Sequence, residues 1–497
     1  MRSTIRFIRH NRLIELVDVP PDMMLLDYLR ETEGATGTKE GCREGDCGAC
    51  TVVLGRLRDG ELAYEPVNAC ILLLGQADGA EVVTVEDLAQ ADGTLHPVQA
   101  AMVDKHASQC GFCTPGFVMS LFALYQSTAG PVERDEVNDW LAGNLCRCTG
   151  YRPIVEAAMA ACAEPRSDRF INGRGDMRGV LEFLADGEEV FIGDKASFFA
   201  APTDLDGLAG LYAEHPDATL VAGGTDVGLW VTKQQRDLGK IIHVGKVRNF
   251  DRVEDTGHEL IIGAGATCAR AEAALRGVDP DIGGLLRRFG GKQVRSCATV
   301  GGNVANGSPI GDLPPALIAL GATVGLRKGR TQRTLPIEQF FLDYGKQARA
   351  AGELVTAITV PRLGDEHVFR CYKVSKRFDQ DISAVMGAFR FTVEREDTVR
   401  EARLAFGGMA GIPKRATVAE KSLIGQQLSD ASAWARAFAA LREEFTPIDD
   451  HRASARYRTE TAHALLGKAL IEAAGTASTR TRIAGQRETV AHGSDQA

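Results

Sequence analysis

The chain has 497 residues, 44% hydrophobic and 25% charged, with 57 Lys and Arg against 66 Asp and Glu for a formal net charge of −9. That balance excludes a disordered, collagen-like or coiled-coil chain, and the acidic sign excludes a basic nucleic-acid footprint or polybasic membrane anchor. Length predicts about three domains, while twelve cysteines call for either an oxidising compartment or bound metal.

Met1 to His10 carries basic residues but neither an apolar stretch nor a small-residue cleavage site, so it does not read as a secretory signal. No run of ~18 apolar residues predicts a membrane span. The expected location is cytoplasmic and reducing, where metal binding is the leading account of the thiols. Residues 4–17 read as two strands joined at His10-Asn11. Residues 22–31 place Leu25, Tyr28 and Leu29 at helical spacing, and a Gly-rich loop leads to the strand Thr51–Leu54. Residues 1–88 therefore suit a small α+β ferredoxin-like domain. Helical stretches near 97–107, 115–127, 133–142 and 153–162 predict a helical bundle over 89–163. Pro115 and Pro153 open two of them, and Thr114 is a candidate N-cap. A polar linker is expected over 164–190, alternating strands and helices over 191–365, and strands followed by long helices over 366–475. Residues 476–497 read as a disordered tail.

Eight cysteines fall in the first 150 residues and form two quartets. Cys42, Cys47 and Cys50, completed by Cys70, have the Cys-x4-Cys-x2-Cys spacing of a plant-type [2Fe–2S] loop. Gly41, Gly45 and Gly48 permit positive φ and bring backbone amides close to the sulfurs. Zinc or buried structural thiols are the alternatives; zinc favours paired Cys-x2-Cys, and the loop holds no histidine pair for a Rieske centre. The second quartet, Cys110, Cys113, Cys146 and Cys148, reads by spacing alone as zinc or iron–sulfur, with both pairs at helix ends. Arg147 and Arg152 would partly offset cluster charge or are surface arginines. Cys162, Cys268, Cys297 and Cys371 are scattered.

The runs Gly41–Val52, Gln109–Gly116 and Gly143–Ile154 resemble the molybdenum hydroxylase (xanthine oxidase) family, with all eight cysteines matching in order and spacing. The resemblance implies a [2Fe–2S] cluster on each quartet and extends over roughly residues 5–475. The implied fold is multidomain α+β. A ferredoxin-like β-grasp domain and a four-helix [2Fe–2S] bundle precede an α+β FAD-binding domain of vanillyl-alcohol-oxidase type and a C-terminal α+β domain.

Two Gly-Gly loops are weak anion cradles on their own, since such turns are commonly only turns. Gly263-Ala-Gly265-Ala-Thr-Cys268 is no Rossmann fingerprint, because Cys268 stands where the third glycine belongs. Gly291-Lys292 is followed by Gln293, so there is no P-loop. The resemblance gives these loops a role. Leu220, Val221, Ala222, Gly223, Gly224, Thr225, Asp226 and Val227 correspond to the family's FAD pyrophosphate loop. Phe289 corresponds to the aromatic beside the flavin, though by itself it reads as a core residue. Thr299, Val300, Gly301, Gly302, Asn303 and Asp312 correspond to a second FAD segment, and Val355 and Lys373 to two further contacts. Residues 374–384 resemble a charged loop that controls NAD access, with Asp379 and Asp381 offset by Lys376 and Arg377, or are simply solvated charges.

The implied activity is electron transfer from a molybdopterin centre on a partner, through the second quartet and then the first, to FAD, which reduces NAD+. The implied partner is a molybdopterin-binding large subunit, two copies of each making a heterotetramer, and the implied substrate is a purine. No catalytic residue for hydroxylation is expected on this chain. An aldehyde, nicotinate or other heteroaromatic substrate is the rival within the family. A zinc-stabilised scaffold is the rival from another class.

Overall fold

The computed structural model describes residues 1–394 and 397–476, so the tail expected over 476–497 lies, from residue 477 on, outside the described residues. The chain divides into two compact units. One is Met1–Arg248 with Gly290–Ala298; the other is Asn249–Phe289 with the chain from Thr299 onward. This division cuts through the region 191–365 expected as one domain.

In the first unit, β1 (Ile5–Arg9) and β2 (Arg12–Leu16) form the expected hairpin, its turn made by His10 and Asn11 at φ 51° and 57°. The residues expected as a helix over 22–31 form a short α1 (Leu25–Asp27) followed by a π-type turn over Tyr28–Thr32. With β3 (Thr51–Arg58), β4 (Glu61–Asn68) and β5 (Glu81–Val83) the hairpin makes a mixed sheet ordered β2-β1-β5-β3-β4. Only β1 and β5 run parallel. Alternation along the strands sends side chains to two cores. Ile5, Phe7, Val52 and Leu54 meet Leu25, Leu26 and Leu29, while Ile8, Val53, Leu62 and Tyr64 face the helical domain.

That domain is α2 (Pro97–Asp104), α3 (Thr114–Ser127), α4 (Arg134–Leu141) and α5 (Arg152–Ala161), as expected. Every residue of α3 from Gly116 to Gln126 is buried, as a helix apolar all round requires. Thr114 is its first helical residue; the cap position belongs to Cys113. The segment expected as a linker is ordered. α6 (Arg169–Asn172) and α7 (Arg174–Leu184) place Phe170, Leu181 and Leu184 in the same core as α3.

Glu81, on β5, is buried and accepts a hydrogen bond from the Tyr64 hydroxyl at 3.0 Å. Burial pushes its carboxyl up to about 7 from an ordinary 4.5. The folded state therefore holds a proton that the unfolded chain has released. This stabilisation is full below pH 4.5 and is lost as pH rises through about 7. At roughly 1.4 kcal/mol per pKa unit, the loss amounts to about 3 kcal/mol. Glu81→Gln is expected to raise the melting temperature at pH 8 and leave it unchanged at pH 4; an equal effect at both pH values contradicts the assignment.

The first unit ends in a four-stranded sheet, β6 (Val190–Gly193), β7 (Phe198–Ala201), β9 (Lys240–His243) and β8 (Thr219–Val221) in that order. β9 is parallel to both neighbours. α8 (Leu205–Glu214), capped by Asp204, precedes β8, and α9 (Val227–Thr232) lies between β8 and β9.

The second unit carries an antiparallel five-stranded sheet, in spatial order Val253–Asp255, Glu259–Gly263, Leu354–Pro361, Thr323–Lys328 and Thr331–Pro336. Gly263 ends an antiparallel strand, in keeping with the rejection of a Rossmann turn there; a Cβ at Gly263 would lie 2.3 Å from the Phe250 carbonyl. A further antiparallel sheet begins with His367–Val374, Val385–Val393 and Val399–Gly407. The helices Trp434–Glu444 and Ala455–Ala473 pack on it around Phe389, Phe391, Leu404 and Phe406. Among the described residues no helix is long and apolar enough to cross a membrane.

Candidate cofactor sites

Cys42, Cys47 and Cys50 lie on an irregular loop between the turn at 28–32 and β3, and Cys70 follows β4. Gly45 and Gly48 take φ of 77° and 70°, as expected; Arg43 is also left-handed, at 56°. Gly41 serves differently. Its φ is not positive, but a Cβ there would stand 2.8 Å from the Cys47 sulfur. Backbone amides point at sulfur: Cys47 and Glu44 donate to Cys42 Sγ at 3.3 and 3.4 Å, and Cys42 donates to Cys47 Sγ at 3.3 Å. Asn68 ties down the loop by donating to the Gly45 carbonyl at 3.0 Å.

The four thiols converge. The Cys42 thiol neighbours those of Cys47 and Cys70, and the Cys70 thiol neighbours that of Cys50. Hydrogen bonds from Cys47 and Cys70 pull the Cys42 thiol far down, while the same crowding drives Cys47 and Cys70 far up. Thiols this close cannot all ionise without a cation among them. Among the described residues no three His, Cys, Asp or Glu side chains are gathered as ligands of one metal ion. Four thiols, Cys42, Cys47, Cys50 and Cys70, are the donor set that a [2Fe–2S] cluster takes.

The second quartet converges too. Cys113 contacts Cys146, and Cys148 contacts Cys110. Burial, then the Cys146 thiol, pushes Cys113 up to about 12. Burial opposes ionisation of Cys146, yet the Thr149 hydroxyl and amide, donating at 3.3 and 3.5 Å, hold its thiol below the ordinary value. Cys110 and Cys148 are exposed. Arg147 is exposed, and Arg152 pairs with Glu156 on the surface, so both are surface arginines. The other four cysteines are buried, and no disulfide forms.

In the first unit, β8 runs into the loop Ala222–Asp226 and then α9. Gly224 has φ 73° and accepts from the Gly228 amide at 2.7 Å. A Cβ at Gly223 would lie 2.0 Å from the Cys297 carbonyl, so this glycine is also required by packing. Gln76 supports the loop, donating to the Ala222 carbonyl at 2.9 Å.

In the second unit, Thr299 caps the helix Val300–Asn306, accepting from the Gly302 amide at 3.0 Å. Gly301 packs on Ala264. Asn303 Oδ1 is buried without a hydrogen-bond partner. A presented helix start with an orphaned amide oxygen fits a polar ligand such as a dinucleotide. Asp312 already has both oxygens occupied, by Lys373 Nζ and Ser383 Oγ, each at 2.5 Å. Val355 is buried opposite Leu326, and Phe289 is half-buried. In the 374–384 loop Arg377 pairs with Asp381 at 3.7 Å and Lys376 donates to the His451 carbonyl at 2.9 Å.

Lys373 and Asp312 form a buried ion pair, with side chains 3% and 5% exposed. Removing one partner of such a pair costs about 3–5 kcal/mol, because the other charge stays buried. Lys373→Met is expected to destabilise the chain by about that amount in denaturant melts, and Asp312→Leu added to it to recover most of the loss. Equal stability of wild type and Lys373→Met contradicts the pairing.

Sequence reasoning did not single out Asn68, Gln76, Asn144 or Gln293, which support the loops. Each is an amide whose partner lies far along the chain, and only the tertiary structure brings the two together.

Four family models match in chain order. They are a 2Fe-2S iron-sulfur cluster binding domain over residues 8–74 and a [2Fe-2S] binding domain over 84–159. An FAD binding domain in molybdopterin dehydrogenase follows over 194–363, then a CO dehydrogenase flavoprotein C-terminal domain over 370–473. The xanthine dehydrogenase of Emericella nidulans is 32% identical over 500 residues, covering 89% of this chain and 36% of that protein. That of Drosophila pseudoobscura pseudoobscura is 32% identical over 465 residues, covering 82% of this chain and 34% of that protein. The chain thus spans about a third of the length of these relatives. A solved chain of the reconstituted CO dehydrogenase from Oligotropha carboxidovorans superposes with a TM-score of 0.53 at 25% identity, covering 57% of this chain and 100% of that one.

Proposed function

We propose that this chain, a molybdenum hydroxylase family member by its four matched domains, is the iron–sulfur and FAD subunit of a bacterial xanthine dehydrogenase. In this reading Cys42, Cys47, Cys50 and Cys70 hold one [2Fe–2S] cluster, and Cys110, Cys113, Cys146 and Cys148 hold the other. FAD is held by Leu220 to Val227, Phe289, Thr299 to Asn303, Asp312, Val355 and Lys373. The clusters supply one-electron transfer, and the flavin supplies conversion to the two-electron reduction of NAD+. The partner is a large subunit carrying molybdopterin, in a cytoplasmic assembly of two copies of each, and the substrate is hypoxanthine or xanthine.

The observation that carries this reading is that the fold brings Cys70 beside Cys42 and Cys50, and the Cys110/Cys113 pair beside the Cys146/Cys148 pair. Within it the chain's own residues have definite tasks. The amides of Glu44 and Cys47 stabilise negative charge on Cys42 sulfur, and the Thr149 hydroxyl and amide do so at Cys146. Cys50 and Cys70 are buried while Cys42 and Cys47 are half-buried, so the first site is shielded from water on the Cys50 and Cys70 side.

The xanthine dehydrogenase relatives match 89% and 82% of this chain. The CO dehydrogenase chain matches only 57% of this one, which supports the xanthine-type reading of a single fused chain. Another heteroaromatic or aldehyde remains the second reading for substrate. The test is to purify the chain with its neighbouring gene product and assay NAD+ reduction with xanthine, hypoxanthine, nicotinate and aldehydes. Xanthine-dependent NADH formation is expected; turnover of nicotinate or an aldehyde alone overturns the purine assignment.

A further inference from the structure

The two cysteine loops meet backbone to backbone within the first unit. The Leu145 amide donates to the Cys47 carbonyl at 3.0 Å. A path from Cys146 through the Leu145 backbone therefore reaches Cys47 across a single hydrogen bond. Beside it, Asn144 Nδ2 donates to the Gly48 carbonyl at 3.1 Å. Glycines make the approach possible. A Cβ on Gly48 would lie 2.2 Å from the Gly143 carbonyl, and one on Gly116 2.2 Å from the Gly48 carbonyl.

Gln293 closes this seam. It comes from the single helical turn Lys292–Arg295, about 150 residues away along the chain from Asn144, and is 1% exposed. Its Nε2 lies 2.9 Å from Asn144 Oδ1 and 3.1 Å from both Ser120 Oγ and Thr51 Oγ1. Its Oε1 is buried without a hydrogen-bond partner and stands 1.9 Å from where a Cβ on Gly143 would be. An unpaired buried amide oxygen is costly. Kept where three backbone segments converge, it points to a positional rather than a stabilising role.

We propose that Gln293 is a positioning residue for electron transfer, clamping Asn144 and Gly143 so that the Leu145 amide to Cys47 carbonyl hydrogen bond is the crossing point between the two cysteine sites. This rests on the reading that both quartets hold [2Fe–2S] clusters. With clusters bound, one electron would pass from the site held by Cys110, Cys113, Cys146 and Cys148, oxidising it by one, to the site held by Cys42, Cys47, Cys50 and Cys70, reducing it by one. No bond forms or breaks and no proton moves. Gln293 acts through its neighbours.

The test compares wild type with Gln293→Leu as the full chain with its partner, reduced with dithionite. It reads iron content, the two EPR signals, the magnetic splitting between them, and the rate of electron equilibration after flash reduction. Gln293→Leu is expected to keep its iron and both signals, lose the splitting, and equilibrate slower by about tenfold or more, the scale of an outer-shell substitution. Unchanged splitting and rate overturn the proposal. A wild-type chain without two iron–sulfur signals overturns the cluster reading instead. Hydrogen exchange on wild type decides the matter if the variant does not fold. The Leu145 amide is then expected to be as protected as the core amides of α3, and exchange at open-loop rates overturns the crossing point.

Discussion

Cys113→Ser is expected to abolish one of two EPR-distinguishable clusters, remove about half of the iron, and leave the other signal intact. Cys113 occupies the cap position of α3 and makes no side-chain capping bond there. Serine is among the best residues at that position, so the helix has no reason to unfold. What is lost is a sulfur beside Cys146, and with it one corner of the second quartet. The first quartet sits on a separate loop and keeps its own amides on sulfur. Iron analysis and low-temperature EPR of the reduced variant read the result. Loss of both signals, or of neither, contradicts the assignment of ligands.

Gly301→Val is expected to strip the flavin, leaving less than about a tenth of the wild-type content, and to retain both iron–sulfur signals. In a Gly-Gly loop that cradles an anion, a side chain fills space the anion needs. The structure supplies a nearer obstacle. A Cβ on Gly301 would stand 2.4 Å from Ala264 Cβ and 2.5 Å from its Cα, so the helix Val300–Asn306 would have to move off the Gly263–Ala266 turn. That displacement carries the capped helix start and Asn303 away together. Flavin content by absorbance after acid release reads the outcome, and stoichiometric flavin in the variant contradicts the role given to this loop.

Cysteine spacing set out both quartets as candidates, because Cys42, Cys47 and Cys50 and each pair of the second quartet stand within a few residues of one another. The four helices and the hairpin at His10-Asn11 were legible for the same reason: proline starts, left-handed turn residues and apolar periodicity are local signals. Three features were not. The segment 164–190 begins with a polar run, and its helices are stabilised by burying Phe170, Leu181 and Leu184 in a core built elsewhere. Gly41 was grouped with the left-handed glycines, but its role is to leave room for the Cys47 sulfur, a contact visible only once the loop closes. Gln293 follows a Gly-Lys pair that merely fails to be a P-loop. Its placement in the first unit, against Asn144, Ser120 and Thr51, depends on the strip Gly290–Ala298 leaving its sequence neighbours. Tertiary packing decides all three, and no short window of sequence records it.

The most direct test of the central claim is metal and flavin analysis of the purified chain with its visible and EPR spectra. The account predicts a red-brown protein with FAD and two distinguishable [2Fe–2S] signals on reduction; a colourless protein that holds zinc and no flavin would contradict it.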